Sequence, residues 1–182
     1  MSGAQNAELI IRNRLGFHVR PIQRFAELAQ AFRSEIEVRI EDRRAPGKSV
    51  MNLMTLRGRH GSVMNVTTRG EDARQALGVL EFLVESNFFV ENDPGMELDP
   101  CRHVTRLAKI ASCFNSEVVA ELNGKRADAR NVEELSALGI TPTSKLAFHV
   151  SGDDSEQARS VLEKLVKHCF YVESAMGAQA AK

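Results

Sequence analysis

Apolar residues at Ile22, Phe25, Ala26, Ala29 and Phe32 recur at spacings of three and four, the stripe of a helix with one buried face. The period then changes. EIEVRI, residues 35 to 40, alternates, so Ile36, Val38 and Ile40 share one face of a strand. VMNVTT and LAFHV alternate in the same way. LIIRN at residues 9 to 13 predicts a further strand, and short helices are expected near 49 to 56 and 131 to 138. Asp72 and Asp154 stand where N-caps belong, ahead of helices carrying Ala76, Leu77, Leu80 and Leu83 and, later, Ala158, Leu162, Leu165 and Val166. Asn123-Gly124 after VVAEL is a hairpin signal, returning a strand through residues 125 to 129.

These segments repeat in one register. Ile22, Phe25, Ala26, Ala29, Phe32 and Ser34 have Val104, Leu107, Ala108, Ala111, Phe114 and Ser116 as counterparts, an offset of 82 residues. The same offset carries Leu53 and Leu56 onto Leu135 and Leu138, Gly70 and Asp72 onto Gly152 and Asp154, and LVESNFFVE onto LVKHCFYVE. So long a period does not suit a solenoid and predicts two copies of one small domain. The first, residues 1 to 91, reads β-α-β-β-α-β-α; the second, 92 to 182, follows the turn-prone ENDPG of residues 91 to 95, with FFVE at 88 to 91 the candidate for its first strand. Such strands leave one sheet face for helices to cover, so the expected fold class is α+β: two open-faced sandwiches.

Composition narrows the partners. Twenty-four basic against twenty-four acidic residues give no net charge, which argues against affinity built on nucleic acid or an anionic membrane. MSGAQNAE shows neither a basic n-region nor an apolar core, and no run reaches the ~20 apolar residues of a membrane span, so the expected location is cytoplasmic. Cys101, Cys113 and Cys169 have no CxxC spacing and read as reduced packing thiols. His60, His149 and His168 are scattered, so neither a metal nor a cofactor is implied, and RGRHG at 57 to 61 reads as a solvated basic loop.

The candidate chemistry lies in GFHVRP, residues 16 to 21. Gly16 permits a tight turn, and Pro21 suits a helix's first turn, where its missing N–H costs nothing. His18 therefore falls at a helix amino terminus, where unpaired N–H groups and the helix dipole stabilise an anion. Arg20 adds a planar donor fork suited to phosphate. An imidazole of ordinary pKa is largely unprotonated, hence nucleophilic, near pH 7. The parts describe a phosphorylatable histidine.

With KSVMNLMTL (48 to 56) and GEDARQAL (70 to 77), GFHVRP makes the first copy resemble HPr, the histidine-containing phosphocarrier family of the bacterial phosphotransferase system. The resemblance implies two HPr-like domains, each a four-stranded antiparallel sheet covered on one face by three helices. It also implies that His18 accepts a phosphoryl group at Nδ1 from an Enzyme I-like donor and passes it to an EIIA-like or regulatory acceptor protein. Arg20 would help neutralise the charge, with Gly16, Phe17 and Pro21 shaping the active-site loop. Such a protein is a phosphoryl-transfer intermediate rather than a turnover enzyme. Ser49 has two readings: a regulatory site for an HPr serine kinase, or a plain helix cap. Val50, Met51 and Met54, with Val19 and Arg24, read as a partner-docking face or, for the first three, as core. Phe17, Val19, Ile22 and Gln23 are bulkier or more polar than the family's usual residues around the histidine.

In the second copy Leu98, Asp99 and Pro100 align with Gly16, Phe17 and His18, so the nucleophile is absent; His103 aligns with Pro21 and Asn131 with Ser49. The second copy therefore reads as a degenerate HPr-like domain, and the alternative function is a regulatory protein-binding module in which phosphorylation is absent or only signals. Hydrolase chemistry with His18 as base lacks a partnered nucleophile in the motif.

Overall fold

The computed structural model describes residues 3–89, 102–141 and 144–169. The first half contains β1 (Gln5–Ile10), α1 (Val19–Ala29), β2 (Glu35–Ile40), β3 (Arg43–Pro46), α2 (Val50–Met54), β4 (Val63–Arg69) and α3 (Ala73–Glu85). The second contains α4 (Arg102–Ala111), β5 (Glu117–Leu122), β6 (Lys125–Asp128), α5 (Val132–Ala137), β7 (Ala147–Ser151) and α6 (Ser155–Cys169). The order β-α-β-β-α-β-α follows from the changes of period, with one shift. β1 ends at Ile10, before the expected 9-to-13 segment is complete, because Asn13 starts a turn: its Oδ1 accepts from Leu15 N–H at 2.9 Å and its carbonyl from Gly16 N–H at 2.8 Å.

The first sheet is antiparallel, ordered β1-β4-β2-β3. Its register pairs Ile36 with Thr68, Val38 with Val66 and Ile40 with Met64, so the alternating apolar positions share a face. On that face they meet Phe25, Ala26 and Ala29 of α1 and Ala76, Leu80 and Leu83 of α3, all buried. Each large apolar side chain so enclosed contributes roughly 1.5–3 kcal/mol.

The second sheet has three strands among the described residues, ordered β6-β5-β7, where four were expected. Of the FFVE candidate, Phe88 and Phe89 lie in a single buried turn, Asn87–Phe89, and not in a strand; Val90 and Glu91 lie outside the described residues. The difference shows in burial. Met64 and Val66, flanked by β1 and β2, are fully buried, whereas their counterparts Leu146 and Phe148, on the side of β5 that among the described residues bears only β7, are half-buried. Also outside the described residues are Leu98, Asp99, Pro100 and Cys101, the ENDPG turn, and Phe170, Val172 and Glu173.

Asp72 stands at the amino end of α3, yet its side chain makes no cap bond there. It reaches instead to the α1–β2 connection, accepting from Arg33 N–H at 2.7 Å, Ser34 N–H at 2.8 Å and the Ser34 hydroxyl. Asp154 repeats the arrangement with Asn115 N–H at 2.7 Å and Ser116 N–H at 2.8 Å. The predicted caps are thus clamps: each carboxylate satisfies the buried turn that redirects the chain from helix to strand.

The halves meet around these clamps. Phe32 and Phe114, counterparts under the 82-residue offset, stack with ring centroids 6.2 Å apart. Gln75 donates to Asp154 at 3.2 Å, and Arg33 pairs with Glu156 at 2.7 Å. The duplicated halves of the chain therefore touch at an equivalent position of each copy. Cys113 sits at this junction, its thiol pushed up to about 11 by burial and by Glu81, which suits a packing thiol. Among the described residues no helix is long and apolar enough to cross a membrane.

Candidate functional site

The loop before α1 is held by a second loop. Phe17 N–H donates to the Gly58 carbonyl at 2.8 Å, Ile11 N–H to Ser62 O at 3.0 Å, and Gly61 N–H to Ile11 O at 2.8 Å. Gly16 has φ +76°, and a Cβ there would lie 2.5 Å from Gly58 O. A Cβ on Gly58 would lie 2.7 Å from both the Ile11 and Ile40 Cδ1 atoms. Gly16 therefore lets the two backbones touch, and Gly58 lets its loop settle on the Ile11 and Ile40 side chains, which together fix where α1 begins. The 57-to-61 loop, expected as merely solvated, is thus part of the site's foundation, and His60 Nδ1 lies 3.1 Å from Arg12 O.

His18 is the N-cap of α1, with extended backbone (φ −104°, ψ −170°) and no capping bond from its side chain. Its carbonyl already accepts from Ile22 N–H at 2.9 Å, closing the first helical turn. The imidazole is half-buried, and its Nε2 is enclosed without a hydrogen-bond partner. Burial and then the Arg20 charge push its pKa below 6.5, so the ring is neutral and carries a lone pair near pH 7. Arg20, in the second position of α1, is exposed, and Pro21 occupies the third. The free first-turn N–H groups, the helix dipole and Arg20 together make a place where added negative charge is stabilised.

The remaining predicted residues divide. Phe17 is 4% exposed, edge-on to Phe25 at 5.9 Å and tilted against Phe88 at 5.4 Å. Its bulk and that of Ile22 turn inward, so of the departures from the family's residues only Val19 and Gln23 change the surface. Val19, Met51 and Met54 are exposed at 48%, 75% and 45%. Val50 is half-buried against the core. Arg24 points its Nη1 at the Phe88 carbonyl, 2.7 Å away, and so braces the interior. Ser49 caps α2 by accepting from Asn52 N–H at 3.4 Å, and Asn131 caps α5 by accepting from Glu133 and Glu134 N–H; the serine and its replacement share one structural task.

Leu15, 77% exposed in the loop two residues before Phe17, was not singled out by periodicity, because a loop has none. Its only signal was an apolar residue between Arg14 and Gly16. Arg43, Thr55 and Arg57 likewise join Met51 and Met54 around a shallow depression of about 530 Å³. His103, on the first turn of α4, belongs to the other half.

A family model described as "PTS HPr component phosphorylation site" matches the chain twice, over residues 5–86 and 84–168. The phosphocarrier protein HPr of Neisseria meningitidis serogroup A is 38% identical over 84 residues, 46% of this chain and 92% of that protein. The multiphosphoryl transfer protein of Xanthomonas campestris is 35% identical over 83 residues, 46% of this chain and 10% of that protein. The crystal structure of HPr-C-His from Thermoanaerobacter tengcongensis covers 48% of this chain and 98% of its own, at 32% identity and a TM-score of 0.46. Matched by the family model once in each half, and by a small relative over nearly that relative's whole length, this chain belongs to the HPr family of phosphotransferase-system proteins, as a tandem of two HPr domains.

Proposed function

We propose that the chain is a phosphocarrier of a phosphoenolpyruvate-dependent phosphotransferase relay, accepting a phosphoryl group at His18 Nδ1 from an Enzyme I-like donor and delivering it to an EIIA-like or regulatory acceptor protein. The observation that carries this reading is the placement of the His18 imidazole at the amino terminus of α1, with its Nε2 enclosed. The relatives named as phosphocarrier and multiphosphoryl transfer proteins support it.

In the transfer, the Nδ1 lone pair attacks phosphorus as the donor's bond to phosphorus breaks, and the ring proton stays on Nε2. Delivery reverses the step on the acceptor's nucleophile. The first-turn N–H groups and Arg20 stabilise the bound anion in between, so the chain works as a relay intermediate. Docking falls to Val19, Met51 and Met54, joined by Leu15. Val50 supports that face from below, and Arg24 supports the loop. Active-site duty lies in residues 1 to 91, and the degenerate copy occupies 92 to 182. Phosphorylation of Ser49 by an HPr serine kinase would add about −2 charge at the amino end of α2, beside that docking face.

A second reading, a regulatory binding module, draws on the second half, whose core of Leu107, Phe114, Leu135 and Leu162 is fully packed without an aligned histidine. Intact-mass analysis after incubation with phosphoenolpyruvate and Enzyme I separates the two. The carrier reading expects one acid-labile phosphoryl group, lost in His18→Ala and kept in Ser49→Ala. Unmodified wild type beside a cognate Enzyme I that phosphorylates another HPr would leave the binding module as the better account.

A further inference from the structure

Asn87, Phe88 and Phe89 each have φ +55° and are buried. Three successive side-chain-bearing residues in the left-handed region are unfavourable and persist only where their surroundings over-determine them. Here the surroundings come from both halves. Arg24 of α1 donates to the Phe88 carbonyl at 2.7 Å. The Phe88 ring lies 5.4 Å from the ring of Phe17, the residue bonded to His18. Arg106 of α4, itself buried, holds its guanidinium 4.7 Å above the Phe89 ring.

Arg24 and Arg106 are counterparts under the 82-residue offset, so equivalent positions of the two duplicated helices converge on one turn. Two side-chain contacts, Phe17 with Phe88 and Phe89 with Arg106, joined by the bonded pairs His18–Phe17 and Phe88–Phe89, lead from the phosphoryl site to the second half. Phe17, Phe88, Phe89 and Arg106 are all buried, and close-packed side chains transmit strain to their neighbours. A ring shift at Phe88 is passed through Phe17 to the backbone that sets His18 at the helix terminus.

We propose that the second half tunes phosphoryl acceptance at His18 through this left-handed turn, with Phe88, Phe89 and Arg106 as positioning residues; the inference rests on the carrier reading above. It gives the copy that lacks a histidine at the aligned position a task that neither the lost site nor simple packing supplies.

The test uses the full chain. Phe89→Leu removes the ring face under Arg106 while keeping apolar volume, and Arg106→Gln removes the cation. Each variant, confirmed folded by its urea transition, is expected to accept phosphoryl groups from phosphorylated Enzyme I roughly 3- to 10-fold more slowly. Each is also expected to move the NMR titration midpoint of His18 by about 0.3 unit or more. Arg106→Lys, which keeps a cation over the ring, restores part of both. Wild type supplies a measurement that no folding defect can spoil: the Arg106 Nε–H and Phe89 ring signals should shift with the His18 midpoint, and His18→Asn should abolish that component. The other charged groups along this path, Arg20 and Arg24 of α1 and His103 and Lys109 of α4, remain in His18→Asn, so any shift that persists belongs to them. Folded variants with unchanged acceptance and an unchanged midpoint, or wild-type signals indifferent to His18, overturn the coupling. Failure of wild type to accept a phosphoryl group at all sinks the carrier reading instead, and the titration still decides the coupling.

Discussion

Gly16→Ala isolates the contact on which the site is built. At φ +76° an alanine is strained by roughly 1–2 kcal/mol. Its Cβ would also sit 2.5 Å from the Gly58 carbonyl oxygen, which is backbone and cannot rotate away. Relief requires the two loops to part, weakening the 2.8 Å bond from Phe17 N–H to that oxygen, a loss of about 1 kcal/mol. The expected destabilisation is therefore on the order of 3 kcal/mol. Gly61→Ala is the matched control: its φ is +82° but nothing lies within 4 Å of the added carbon, so only the backbone cost of about 1–2 kcal/mol applies. Urea unfolding followed by circular dichroism, with a common slope, gives both values, and their difference measures the contact between loops. Because Phe17 carries His18, Gly16→Ala should also slow phosphoryl acceptance by about tenfold or more, while Gly61→Ala leaves it near wild type. If Gly16→Ala proves no costlier than Gly61→Ala, the glycine-to-glycine contact does not position α1 and the account of the site is wrong.

Two further outcomes follow from charge and burial. Burial raises the Asp72 pKa, but hydrogen bonds from the Ser34 hydroxyl and the Arg33 and Ser34 N–H groups outweigh it and hold the carboxyl below 3.8. Its stabilisation is therefore present above the unfolded value and lost as pH falls through the lower folded one. Asp72→Asn, which turns an acceptor oxygen into an N–H₂ facing donors, should cost on the order of 2–4 kcal/mol at pH 7 and less at pH 3 in urea unfolding; an equal cost at both would contradict the clamp. His18 has the opposite dependence on its charged form: its folded pKa lies below 6.5, so the unfolded chain takes up the proton first on acidification. Stability contributed by the neutral ring is complete above about pH 6.5, declines below it and levels once the folded protein is protonated too. His18→Asn should flatten that part of the stability curve, and an unaltered slope between pH 7 and 5 would refute the buried-ring argument.

The elements were legible because each has a period of its own and the duplication states it twice. β2 occupies residues 35 to 40 as its alternation demands, and the Asn-Gly turn does link β5 to β6. His18, Arg20 and Pro21 were also readable, since a glycine, a histidine and a first-turn proline describe a helix entrance in one short span. Less legible were roles set by contacts distant in sequence. Asp72 was expected to cap the helix it precedes and instead clamps a turn 38 residues earlier. Arg24, expected at a docking surface, also braces the carbonyl of Phe88, 64 residues on, a contact no local pattern announces. Phe17, next to the candidate phosphoryl acceptor, belongs to the core.

By itself the sequence determined the two copies, their secondary structure and the identity of the candidate phosphoryl acceptor, because those depend on local periods, turn chemistry and residue type. Only the tertiary structure decided which ring nitrogen of His18 is enclosed, that the 57-to-61 loop shapes the site, and that Arg24 and Arg106 grip one left-handed turn between the halves. Those facts concern which groups become neighbours when sheet faces and helix stripes bury each other. No residue's own conformational preference carries that information, and close packing supplies it only when the whole chain is in place.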